Sequence, residues 1–289
     1  IREGIFSLKI GPSWITFIYA LFVLGFAKAA IMPLHNWLPS AMVAPTPVSA
    51  LLHAVAVVKA GVFCISRVML SLFGLKLLHQ LNLGVYTAYF VSFTIIMASV
   101  IALTKDDLKA RLAYSTVSQL SYIVLGVALL NPVGITGGII HILNHAFSKI
   151  TLFFCAGAIY VATHKKKISE LGGIGYQMPF TMGAFAVASL SMIGIPPVAG
   201  FVTKWYLVQG ALAIKDLGLV VVLMVSALLN AGYFAPITFK AFFEGGTKRI
   251  SLQEAPATMV VPIVVASILS VLVGIWPQFF VHLIGRILP

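Results

Sequence analysis

A succession of apolar runs of bilayer length limits this fold more than any other feature of the chain. A hydrocarbon core of ~30 Å takes about 20 apolar residues of helix. Stretches of that length run roughly over 14–32, 48–70, 82–103, 111–130, 134–162, 179–211, 217–242 and 257–285. Turn chemistry separates them at Pro45-Thr46-Pro47, at Thr104 to Asp107, at Asn131-Pro132, at His164 to Lys167 and at Gly245-Gly246. The pattern predicts an all-α membrane protein of about eight transmembrane helices. Composition excludes the alternatives. Charged residues make up 9% of the chain, against roughly 25% in soluble domains. The 20 Phe, 9 Tyr and 4 Trp exclude disorder, because they need apolar surroundings.

The net charge of +12 would suggest nucleic-acid binding in a soluble protein. Here the basic residues are scattered among apolar runs, so no nucleic-acid partner is expected. Cys64 and Cys155 lie in separate apolar segments with no partner spacing, which implies neither a disulfide framework nor a metal site. Glycine-rich phosphate loops, haem pairs and iron–sulfur patterns are absent from the sequence, so no cofactor is expected. No connection is long enough for a soluble domain, and 1–289 reads as one transmembrane domain. The chain starts at Ile1 with no signal-peptide pattern, which suggests that sequence lies upstream. Loop charge gives a weak orientation. The connections at 105–111, 165–167 and 248–249 carry eight basic residues, against six on the opposite side, which puts both termini outside the cytoplasm.

Two runs contain helix breakers. Segment 179–211 exceeds one span and holds Gly194 to Gly200, in which Pro196 and Pro197 remove adjacent backbone donors. The first span runs from Lys28 into Pro33 and Pro39. Interruptions inside a membrane are tolerated only beside protein or a water-filled cavity. Paired interruptions point to the transport site of a repeat-built transporter.

Charge placement then marks the chemistry. Lys28, Lys59, Lys149, Lys204 and Lys240 fall inside the predicted spans, whereas all seven acids lie in connections or tails. A central charge costs about 2.5–3.5 kcal/mol on insertion scales, so five unpaired lysines would cost on the order of 10 kcal/mol or more. Burial disfavours the ammonium form, and a lysine poised this way can take up and release protons. His141, His145 and Lys149 follow at i, i+4 and i+8, along one helical face. Histidine titrates near neutrality, so this stripe can pass protons. A packed polar face and a metal site are the alternatives, although no acid or cysteine in reach completes the latter. His53 and Lys59, six residues apart, face opposite sides of one helix. Lys28 and Lys204 each accompany a break. Lys240 sits near the end of its span, where snorkelling to the interface explains it equally well.

These residues occur in recognisable stretches. They are Ala27 to His53 (AKAAIMPLHNWLPSAMVAPTPVSALLH), Asp107 to Gln119 (DLKARLAYSTVSQ), His141 to Lys149 (HILNHAFSK) and Gly194 to Lys204 (GIPPVAGFVTK). Together they closely resemble the antiporter-like subunit family. That family comprises the proton-channel subunits of respiratory complex I, their relatives in membrane-bound hydrogenases and related archaeal complexes, and Mrp-type Na+/H+ antiporter subunits. Val57 to Phe63 (VVKAGVF) is more similar to the Mrp and hydrogenase branches.

The resemblance implies an inverted-repeat fold of which this chain looks like helices seven to fourteen. Residues 1–78 would end the first repeat, 79–245 form the second, and 246–289 supply a C-terminal helix. Broken helices are implied near Pro33 and near Pro196-Pro197. It further implies a proton path through Lys28, His53, Lys59, His141, His145, Lys149 and Lys204, with Lys240 as a further candidate. The family pairs the lysine corresponding to Lys28 with a membrane glutamate on a helix that this chain lacks. The expected function is a proton-translocating subunit, with Na+/H+ exchange left open. It carries no redox chemistry itself and sits in an oxidoreductase complex or an Mrp-type antiporter. Expected partners are antiporter-like paralogues, a redox or antiporter module, and the lipid of a prokaryotic cell membrane. A structural subunit that no longer conducts, or an independent solute transporter, would be the other classes.

Overall fold

Residues 4, 11–244 and 252–286 are described in the computed structural model, and the apolar runs emerge as helices. The chain enters through α1 (Pro12–Gly25), breaks, and resumes in two short helices, α2 (Trp37–Ser40) and α3 (Thr46–Ala50). A longer rod follows. In it, α4 (Val57–Arg67) lies between two π-helical stretches, Leu51–Val55 and Val68–Phe73, and continues into α5 (Gly74–Gln80). Next come α6 (Leu83–Thr104), α7 (Leu108–Ala128), α8 (Pro132–Thr163) and the short α9 (Ile174–Gln177). The last membrane elements are the pair α10 (Pro179–Ile193) and α11 (Ala199–Ala213), then α12 (Leu217–Phe243), α13 (Ala257–Ile275) and α14 (Gln278–Gly285). Among the described residues there is no β-sheet, only an isolated bridge between Asp107 and Lys167.

Local chemistry sets the helix starts. Proline stands in the first turn of α1, α3, α8 and α10, where a missing N–H costs nothing. Asp107, Asn131 and Asp216 cap α7, α8 and α12 by accepting from the amides of Ala110, Gly134 and Leu219. Five helical rods are long and apolar enough to cross a bilayer: Val57–Gln80, Leu83–Thr104, Pro132–Thr163, Leu217–Phe243 and Ala257–Ile275. The runs at 14–32 and 179–211 form broken elements instead, with the apolar helices Pro12–Gly25 and Pro179–Ile193 each shorter than a span. The run at 257–285, expected as one helix, is cut at Trp276-Pro277 because proline cannot continue the hydrogen-bond ladder. Helix α7 has the length, but its serines, threonines and glutamine belong inside the protein, and every residue from Leu112 to Ala128 except Tyr114 is buried.

Helix α8 organises the interior, packing on α3, α7, α10, α11 and α13. It has 32 residues, about 48 Å at 1.5 Å per residue, so it outruns the hydrocarbon layer and must tilt or project. Large apolar residues such as Leu217, Val221 and Leu228 on α12 stay exposed, as a lipid-facing surface requires.

Both expected breaks form. After α1 the chain makes a 3-10 turn at Ala27–Ala29, Ala30 adopts a left-handed backbone (φ 55), and the Met32-Pro33 peptide is cis. The Trp37 indole holds this turn by donating to the Ala27 carbonyl at 2.9 Å. Gly61 of α4 lets the turn approach, since a Cβ there would stand 2.3 Å from the Ala29 nitrogen and 2.5 Å from the Lys28 carbonyl carbon. The second break separates α10 from α11, with Gly194 left-handed (φ 94) and the Pro196-Pro197 peptide cis. Here the glycine makes room for a side chain: a Cβ on Gly194 would lie 2.6 Å from Cδ of Lys204.

Candidate functional site

The stripe on α8 is buried as its spacing predicts. His141 is 1% exposed, and His145 and Lys149 are 0% exposed. The two imidazole centroids are 6.1 Å apart, one helical turn along the same face. From α4, the buried Lys59 brings Nζ to 2.5 Å from Nδ1 of His145. At the other end, Nδ1 of His141 lies 3.1 Å from the Thr203 hydroxyl of α11, the residue before Lys204. Lys59, His145, His141 and Thr203 thus follow one another from α4 through α8 to α11, and Lys204 is the next residue along α11.

The buried Lys59, Lys149 and Lys204 find neutral acceptors, and none meets a carboxylate among the described residues. Lys204 donates to the carbonyls of Met192 at 3.0 Å and Ile193 at 2.6 Å. These are among the carbonyls that the end of α10 leaves without helical partners, at the negative end of its dipole, where a cation is stabilised. The break thus supplies the site that makes a buried ammonium tolerable. Lys204 also stands over the Tyr122 ring, 5.4 Å from its centroid. Lys149 donates to the Leu112 carbonyl at 3.1 Å and to the Ser115 hydroxyl of α7, and faces the Phe234 ring at 5.5 Å. An amine and an imidazole in hydrogen-bond contact can exchange a proton, and oriented carbonyls and ring faces hold whichever site carries the charge.

The other candidates lie elsewhere. Lys28 sits in the first break with its side chain exposed. The backbone at His53 is part of the π-helical stretch before α4, and its side chain lies outside the described residues. Lys240 is apart from the buried line. Near the end of α12 it pairs with Glu244, one turn on, at 3.4 Å. Of the loop charges used for orientation, Arg2, Lys9, Lys248 and Arg249 lie outside the described residues.

Two polar groups escaped the sequence reading. Behind α8, the Asn144 carbonyl oxygen accepts from Ser191 at 2.7 Å and Ser148 at 3.2 Å, with Ser270 of α13 beside them. On the other side, Ser115, Gln119 and Tyr122 of α7 face Ser226, Asn230 and Tyr233 of α12. Both sets carry i, i+3/i+4 and i+7 spacing, and all six residues are buried. Their period is that of the α8 stripe, but without charge to mark it in the sequence. The π-helical turns flanking α4 carried no sequence signal, although such turns frequently mark functional positions.

The NADH:quinone oxidoreductase/Mrp antiporter transmembrane family matches residues 5–230. NADH-quinone oxidoreductase subunit N of Desulforudis audaxviator is 38% identical over 266 residues, covering 87% of this chain and 52% of that protein. The chain thus spans about half the length of the curated relatives it matches. A chain of the Mrp complex from Dietzia sp. shares the fold, with a TM-score of 0.86 at 23% identity over 94% of this chain and 59% of that one. A chain of the membrane-bound sulfane sulfur reductase, an archaeal respiratory membrane complex, gives a TM-score of 0.86 at 26% identity. It covers 96% of this chain and 56% of its own length.

Proposed function

We propose that this chain, which belongs to the NADH:quinone oxidoreductase/Mrp antiporter transmembrane family, moves protons along its buried lysine–histidine line as part of a larger membrane complex. The observation that carries this reading is the contact between Lys59 and His145 at 2.5 Å, where two titratable groups from different helices meet in a membrane interior. The line contains only amines, imidazoles and a hydroxyl. Hard cations favour oxygen ligands, so this set suits a proton better than Na+.

In one transfer, the Lys59 ammonium gives a proton to Nδ1 of His145 and is left as the amine. His145 and His141 carry the charge one turn along α8. His141, beside the Thr203 hydroxyl, then gives its proton to a water that protonates the Lys204 amine, so that one positive charge leaves Lys59 and one arrives at Lys204. Like charges repel strongly where the effective dielectric is low. A charge set near Lys28 by a partner module would therefore bias the occupancy of Lys59 and drive the sequence. The resemblance implies that a membrane acid from outside this chain covers Lys28. We place the chain in a prokaryotic cell membrane, on the strength of its bacterial relative, with antiporter-like subunits and a redox or antiporter module as partners.

A second reading is structural, favoured by the carbonyl contacts of Lys204 and Lys149, which would staple helix ends together. Proton flux in reconstituted complexes carrying Lys204→Met separates the two. The relay reading expects an assembled complex with flux reduced at least about tenfold, in line with the loss of one proton-transfer group. Wild-type flux in the assembled variant would remove the relay role.

A further inference from the structure

Three lysines that proton movement does not use gather at the end of α8. Lys109 comes from the first turn of α7, and Lys165 and Lys166 follow the left-handed residue His164 that ends α8. With Tyr160 they line the mouth of a cleft of about 520 Å³. Lys166 holds its ammonium over the Tyr160 ring, 4.9 Å from the centroid. Lys109 donates to the Ala44 carbonyl at 2.8 Å. Lys109 and Lys166 are close enough to repel each other, and none of the three lysines forms an ion pair among the described residues. Asp107 also lines the cleft and offsets Lys109 in part, but its carboxylate already accepts from the Ala110 amide at the start of α7.

Backbone bonds hold these charges in place. The Leu108 amide donates to the Lys166 carbonyl at 3.0 Å and the Ile168 amide to the Asp106 carbonyl at 2.8 Å, which ties the connection after α6 to the connection after α8. Beneath the lysines the lining turns apolar, with Ala156, Gly157 and Val161 of α8 facing Met259 of α13. Gly157 admits α3 at the inner end, since a Cβ there would stand 3.0 Å from the Thr46 methyl. Helix α8 outruns the hydrocarbon layer, so its end reaches headgroup depth, where tyrosines such as Tyr160 concentrate. Loop charge assigns this side to the cytoplasm, whose leaflet carries the anionic lipid.

We infer that this cleft between α3, α7, α8 and α13 binds an anionic phospholipid, with its phosphate among Lys109, Lys165 and Lys166 and an acyl chain along Ala156, Val161 and Met259. The phosphate relieves the repulsion among the lysines and accepts charge-assisted hydrogen bonds from them. A soluble phosphate would satisfy the same ammonium groups but leave the apolar floor uncovered, so a lipid fits the whole cleft. A zwitterionic lipid brings its own cation beside the lysines, so the site discriminates by headgroup. The bound lipid joins the end of α13 to α3 and α8 on the membrane face, away from the buried lysine–histidine line.

Cross-linking in the intact complex tests this, using phosphatidylglycerol with a photoactivatable group in one acyl chain and mass spectrometry to locate the labelled peptides. The cleft predicts labelling around Val161 and Met259 that unlabelled phosphatidylglycerol competes away and phosphatidylcholine does not. Lys165→Gln combined with Lys166→Gln should lower that labelling at least about tenfold, the scale of two lysines beside an anionic headgroup. Val161→Trp, at a half-exposed position, fills the floor and should lower labelling with every charge intact, so the test holds even if the lysine variant assembles poorly. Equal labelling by a phosphatidylcholine probe of the same design, unchanged labelling in either variant, or no labelling at the two segments overturns the site. Loss of labelling in millimolar inorganic phosphate overturns the lipid assignment in favour of a soluble anion.

Discussion

The two breaks share a recipe and differ in what they do with their lysine. Each follows a helix that stops short, passes through a left-handed residue and a cis proline, and carries a lysine nearby. In the second break Lys204 reaches back to the carbonyls that the break has freed and is buried between α10 and α11. In the first, Lys28 lies within the turn itself and its side chain is exposed on the face of this chain. A break is thus not sufficient to bury a cation. The lysine must stand far enough past the interruption, here about one and a half turns into α11, to fold back onto the preceding helix. The second break closes over its lysine, whereas the first leaves its lysine exposed.

The largest effect that would break this comparison is at the contact holding the first turn. Gly61→Leu sets a Cβ against the backbone of Lys28 and Ala29, and costs about 3 kcal/mol through overpacking. The apparent thermal midpoint of the detergent-solubilised protein should fall accordingly. An unchanged midpoint would mean that the first turn is not held on α4. Next in size, Lys204→Met and Lys28→Met sharpen the contrast directly. Losing Lys204 leaves the Ile193 carbonyl without its donor and costs about 1–3 kcal/mol, whereas the exposed Lys28 side chain is worth less than about 0.5 kcal/mol to this chain. Equal losses in thermal unfolding would contradict the assignment of one lysine to the interior and the other to the surface.

The smallest effect serves as a control away from both breaks. Asp106 joins the loop after α6 to the loop after α8, accepting from the Ser169 hydroxyl at 2.8 Å and the Ser169 amide at 3.0 Å. The Ser169 hydroxyl is the main reason that its carboxyl is held below the ordinary value of 3.8. A lowered value means that the contribution is present above 3.8 and is lost as pH falls through the lowered folded value. Pepsin cleavage between 164 and 170 should therefore rise only toward the acid end of the enzyme's range. Asp106→Asn should remove most of that pH dependence, and neither change should touch the breaks.

Much of this was legible beforehand, for physical reasons that differ by residue. Apolar length announced the spans, and Pro196-Pro197 announced the second break because two missing donors leave no helix to continue. The i, i+4, i+8 spacing announced the α8 stripe, since a helix stacks those positions whatever surrounds it. The meeting of Lys59 with His145 was not legible, because it depends on how α4 docks against α8 across 86 residues of sequence. Nor was the exposure of Lys28, which reads like Lys204 in sequence and differs only in its tertiary neighbours. Lys240 was ambiguous in sequence for the right reason: a lysine one turn from a helix end can turn outward, and here it pairs with Glu244. The α7 and α12 polar rows carry no charge to set them apart from packing residues, although uncharged amides and hydroxyls obey the same helical period.

The account stands on the junction of α4 and α8. The most direct test measures proton flux in the reconstituted complex for Lys59→Met, His145→Leu and the two combined. Groups acting in series as one unit lose about as much singly as together. The account predicts that each single change lowers flux at least about tenfold, and that the double variant falls no further. Wild-type flux in either single variant, or losses that multiply in the double, would contradict a continuous line through Lys59 and His145.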